Sequence, residues 1–76
     1  MLRVDGFSVR IFKHDHEPSH VHVFNADGWC KVEIETAAVT RVVGMKTPDV
    51  RYAERIVRAA YRLLSHRWEE IHGGES

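Results

Sequence analysis

Residues 20–35, "HVHVFNADGWCKVEIE", decide the fold. Apolar and polar side chains alternate from His20 to Phe24 and again from Trp29 to Glu35, the period-two mark of strands with one buried face. Asn25, Asp27 and Gly28 between the two runs supply turn chemistry, so the segment reads as a hairpin. With residues 25–28 in the turn, Val23 faces Cys30 and Val21 faces Val32 on an apolar side. The other side then pairs Phe24 with Trp29, His22 with Lys31 and His20 with Glu33. Phe24 and Trp29 form an aromatic pair on this non-core side, the kind of feature that marks contact with another chain. Cys30, on the core side, reads as a small buried hydrophobe rather than a nucleophile.

The pattern extends outward from the hairpin. "FSVRIFK" (7–13) alternates and predicts a strand, and residues 14–19 predict a loop because Pro18 disfavours helical geometry at Glu17. "VTRVVG" (39–44) is β-branched, ends on glycine and predicts a fourth strand. Beyond it the period changes. Thr47 suits a helix N-cap, Pro48 the first helical position and Asp49 the positive end of the dipole. Val50, Ala53, Val57, Ala60, Leu64, Trp68 and Ile71 recur at three and four, and Gly73 is placed to stop the helix. The expectation is an α+β fold: an antiparallel sheet of three or four strands packed against one long C-terminal helix, with Val21, Val23, Val32 and Ile34 buried against Val57, Leu64 and Trp68. Residues 1–76 are expected to form one domain, with a core at 7–72 and a flexible polar tail at 73–76.

Composition narrows the function. Lys and Arg number 11 against 11 Asp and Glu, so bulk attraction to phosphates is excluded and any basic surface must be local. One cysteine allows no internal disulfide and no thiolate zinc cluster, and "MLRVDGFSVR" holds no apolar run, so a reducing cytoplasmic setting without a membrane is expected. Glycine-rich phosphate loops, a nucleophile elbow and a carboxylate pair in acid-base arrangement are absent, which leaves ordinary hydrolase chemistry unsupported.

Two constellations carry chemistry. "HDHEPSHVH" (14–22) holds four of the six histidines in nine positions. His20 and His22 share a strand face, so with His14 or His16 and with Glu33 they could converge on a zinc-like divalent cation. His20 and His22 are equally the candidates for acid-base catalysis, and the whole cluster could instead serve only to order the loop. No cofactor is otherwise implied. Arg51, Arg55, Arg58 and Arg62 follow one another at four, three and four, a stripe about 150° from the apolar seam. Such a stripe suits an acidic protein, a second copy of the chain or a phosphate backbone, and equally a solvated helix face.

The strand "RIFKHDHEPSHVHV", the strand pair and a helix ending in "LLSHRW" resemble the small prokaryotic domain-of-unknown-function family 4160, whose hallmark is an Asp-His-x-Pro-Pro-His-x-His stretch after the first strand. Asp15, His16, Pro18, His20 and His22 match that stretch, and Ser19 stands where the second proline would be. The resemblance implies an α+β domain found alongside toxin and antitoxin modules, without an established activity. A weaker likeness, to the small messenger-RNA-cleaving toxins of the HicA type, rests on the histidine-bearing hairpin followed by a helix. The expected function is therefore a small prokaryotic binding module of a toxin–antitoxin type system. The alternative is a histidine- or metal-dependent ribonuclease-like toxin using His16, His20 and His22.

Overall fold

The central hairpin forms in the expected register: Phe24 opposes Trp29, Val23 Cys30, His22 Lys31, Val21 Val32 and His20 Glu33. The computed structural model describes residues 2–12 and 16–73. The hairpin strands are β3 (His20–Phe24) and β4 (Trp29–Glu33), flanked by β1 (Leu2–Val4), β2 (Phe7–Arg10) and β5 (Val39–Val43) in one antiparallel sheet of order β1-β2-β3-β4-β5. The Asn25 side-chain oxygen accepts the Asp27 and Gly28 backbone N–H groups at 2.9 and 3.0 Å, and this local bonding sets the loop length. Gly28 is required by closeness: a Cβ there would stand 2.0 Å from the Val43 carbonyl oxygen.

The sheet has five strands, not the expected three or four. The added strand is β1, joined to β2 by Asp5 and Gly6, whose φ values of 48° and 83° are those of a two-residue turn with both central residues left-handed. Asp-Gly is the sequence signal for that turn, and it stands in plain view at the start of the chain.

Alternation sorts the strands into two faces. Phe7, Val9, Val21, Val23, Cys30 and Val32 are buried on one face, and Ala53, Ile56, Val57, Leu64 and Trp68 of the helical layer complete the core together with Ile34. The single long helix of the sequence reading is corrected to two, α1 (Thr47–Ala59) and α2 (Tyr61–His72), parted at Ala60 with φ −99° and ψ 17°. No proline or glycine marks the break. The ladder continues on both sides, with the Ala60 N–H donating to Ile56 at 3.0 Å and the Leu64 N–H to Ala60 at 2.9 Å, so the departure is confined to the Ala60 torsions. The seam bends at Ala60, so that Ala53 and Val57 cover the sheet while Trp68 reaches the loop before β3, where its indole N–H meets Glu17. Two end positions also differ. The N-cap is Lys46 rather than Thr47, its carbonyl accepting the Asp49 and Val50 N–H groups at 3.0 Å, and Gly73 ends α2 in right-handed geometry.

Among the described residues no helix is long and apolar enough to cross a membrane.

Candidate functional site

The histidine stretch is held by both ends of the fold. Glu17 and Pro18, joined by a cis peptide bond, lead into β3, and the Ser19 carbonyl accepts the Ile34 N–H at 3.1 Å, extending the hairpin ladder by one step. The His20 Nδ1 lies 2.9 Å from the Pro18 carbonyl oxygen. That oxygen can only accept, so Nδ1 carries the proton and the lone pair of the neutral ring is on Nε2. His20 is 6% exposed although it belongs to the non-core face. The cause is Trp68, whose ring sits 5.6 Å from that of His20 and stacks at 3.8 Å on His72. The Trp68 indole N–H donates to Glu17 at 3.2 Å, so α2 and the loop clamp the first residue of β3.

His16, His20 and His22 line one cavity of about 370 Å³ with Glu17, Lys31, Glu33 and Thr40. Glu33 stands opposite His20 in the ladder and its carboxylate accepts the Thr36 hydroxyl at 3.2 Å. His14 and Asp15 lie outside the described residues. Among the described residues no group of three or more His, Cys, Asp or Glu side chains is placed to hold a metal ion, and His14, which the sequence reading sets beside His16, His20, His22 and Glu33 as a ligand, is not among them. What the cavity offers is imidazole, ammonium and carboxylate groups around one shared space. Cys30 contributes nothing to it: burial, with a smaller push from Glu54, raises its thiol to about 11 and keeps it protonated at neutral pH.

The aromatic pair belongs to a larger array. Phe24 and Trp29 are half-buried with ring centres 6.2 Å apart, and His22 lies 5.3 Å from Trp29 and 4.8 Å from Phe12. Arg10 extends over Phe24 at 5.8 Å and Arg41 over Trp29 at 5.9 Å. Arg10, Phe12 and Arg41 are functional candidates that the sequence reading missed. Alternation in β2 could have placed the first two beside Phe24, while Arg41 depends on the pairing of β5.

The arginine stripe falls on both helices, with Arg51, Arg55 and Arg58 on α1 and Arg62 on α2, all exposed. Among the described residues none of the four enters an ion pair. Arg55, Arg58 and Arg62 rim a groove of about 800 Å³ whose floor is Leu2, Val4, Ile56, Ala59 and Ala60. Tyr61 and Leu63, 40% and 45% exposed, stand on its walls. The groove exists because β1 adds a strand beside the break between the helices, two features absent from the sequence reading. Tyr52, also on the groove, donates its hydroxyl to Asp5, which raises its pKa and ties α1 to the first turn.

Neither the curated proteins nor the solved structures contain a match to this chain. A family model described as Domain of unknown function (DUF4160) matches residues 6–69, from the first turn through the Trp68 clamp. Because that match covers the sheet from β2 onward, the histidine cavity and nearly all of the helical layer, the chain belongs to the DUF4160 family.

Proposed function

We propose that this chain is a small, non-enzymatic binding module of a prokaryotic toxin–antitoxin type system, acting in the cytoplasm by docking a protein partner in the groove between β1 and the two helices. The observation that carries the reading is the combination of an apolar floor with Arg55, Arg58 and Arg62 on its rim and no acidic partner for them among the described residues. Guanidinium groups spaced around apolar area suit a partner segment that is both acidic and apolar, since fork-like pairing gives specificity and the floor gives burial. The toxin–antitoxin setting rests on family resemblance alone, and a toxin-like gene beside this one is the observation that supports it.

The test is capture from the host with the wild-type chain and with a variant in which Arg51, Arg55, Arg58 and Arg62 are replaced by Ala. The expected result is one captured protein, lost with the variant and carrying an acidic apolar segment. A partner retained undiminished by the variant refutes the groove. Sedimentation of the pure chain checks the other occupant, a second copy.

A second reading is favoured by one observation, the gathering of His16, His20 and His22 with Lys31 around one cavity. A ribonuclease built there would use one imidazole as base and another as acid. Its activity would vanish in His22→Ala, and RNA surviving incubation with the pure wild-type protein removes this reading. Should the cavity take up a divalent cation with help from His14, affinity must fall as pH drops through about 6, because metal binding needs neutral imidazoles.

A further inference from the structure

The sheet is covered by the helical layer on one face, and the composition of the other face departs sharply from the neutral chain. Register places its residues in rows. Arg3, Ser8, Phe24 and Trp29 are successive partners across β1 to β4, and Arg10, His22, Lys31 and Arg41 are successive partners across β2 to β5. Arg3, Arg10, Lys31 and Arg41 are therefore on one face whose strands contribute a single carboxylate, Glu33, at one end. Lys31 and Arg41 stand directly opposite one another. Like charges in that position repel; Glu17 and Glu33, which line a cavity with Lys31, offset part of the repulsion, and an anionic ligand relieves the rest. Between the cations lie four rings in continuous contact: Phe12, His22, Phe24 and Trp29. Phe12 is 40% exposed at the edge of this patch.

We infer that this face binds single-stranded nucleic acid, with two or three bases stacked on the Phe12, His22, Phe24 and Trp29 patch and the phosphates held by Arg10, Lys31 and Arg41. Stacking accepts any base because each has a π face, and the flanking cations follow the backbone. Duplex is disfavoured by size. The row from Arg10 to Arg41 crosses four strands, about 14 Å between its outer strands, and with the flanking side chains it is too broad to enter a major groove about 12 Å wide. The guanidinium groups of Arg10 and Arg41 lie 5.8 and 5.9 Å over Phe24 and Trp29, so a stacking base displaces them toward the phosphates it brings, a joint demand for flat rings and anions that nucleic acid meets better than a protein segment. The inference is independent of the helix-side groove: Arg55, Arg58 and Arg62 are on the opposite layer.

The experiment is fluorescence anisotropy with labelled U12 RNA, dT12 DNA and a 12-base-pair duplex, at 50 and 200 mM salt, with quenching of Trp fluorescence as a second signal. The variants are Lys31→Gln with Arg41→Gln, Arg10→Gln alone as a milder surface change should the double variant not fold, and Arg67→Gln, an exposed position of α2 away from both the groove and the sheet face, as a control. Binding of one or both single strands should exceed that of the duplex, fall at least tenfold in the double variant and at least threefold in Arg10→Gln, and be unchanged in the control. Three phosphate contacts predict a log–log salt slope of about −2. U12 against dT12 shows whether ribose hydroxyls are read. No binding at 50 mM salt, a duplex bound as tightly as the single strands, or loss in the helix-face control with retention in the sheet-face variants each overturns the inference. So does a sheet-face variant that abolishes capture of a protein partner while the wild type ignores all three oligonucleotides.

Discussion

Replacing Trp68 by Ala should remove much of this protein's stability. The side chain is 4% exposed, lies against the rings of His20 and His72 and donates its indole N–H to Glu17. A buried tryptophan hides roughly 150–250 Å², which at about 25 cal/mol per Å² corresponds to about 4–6 kcal/mol as an upper figure. Measured Trp-to-Ala losses of about 3–5 kcal/mol agree. At about 0.05–0.15 kcal/mol per residue, a chain of this length has only about 4–11 kcal/mol in total. Trp68→Ala should therefore lower the urea midpoint by about a quarter or more, or leave the chain unfolded without denaturant. Trp68→Phe separates the contributions. It keeps most of the buried ring but removes the donor to Glu17, whose carboxylate is exposed and turns to water, for a net loss of about 0.5–1.5 kcal/mol from the hydrogen bond. The assay is urea unfolding at 25 °C followed by far-ultraviolet circular dichroism, with Trp29 fluorescence as an independent probe. A loss below about 1 kcal/mol in Trp68→Ala would refute the clamp.

Gly28→Ala should destabilise by about 1–3 kcal/mol, since its Cβ would press on backbone at Val43 and Gly44, which cannot rotate away; an unchanged melting temperature would contradict that approach. Cys30 should resist iodoacetamide at pH 8 in the folded protein and react once urea is added, and rapid labelling without urea would contradict its burial. Stability should also fall as pH rises. The unfolded thiol ionises near 9.0 and the folded one only at about 11, so between these values the unfolded chain releases a proton that the folded chain holds. The Cys30 contribution is thus complete below pH 9 and lost toward 11, and Cys30→Ala should flatten that decline. Tyr52, raised by its bond to Asp5, acts in the same direction.

The hairpin was legible because its determinants are local. Once one face must be buried a one-residue slip is excluded, and the turn at residues 25–28 selects the register that remains, so Val21, Val23, Cys30 and Val32 declared the core and, with the turn, the pairing of His22 with Lys31. The seam through Ala53, Val57, Leu64 and Trp68 was legible for the same reason at a period of 3.6. β1 could have been read from Asp5 and Gly6, whose signal is as local as any in the chain. The break at Ala60 has no proline or glycine to announce it, and alanine favours a continuous helix. Burial of His20 is likewise invisible to alternation, which assigns it to the open face. It is the arrival of Trp68 from the far end of the chain that covers it. The groove and the sheet-face rows need three or more elements each. Alternation determines which face a residue belongs to, while strand order determines its neighbours, and strand order is set by packing of the whole chain.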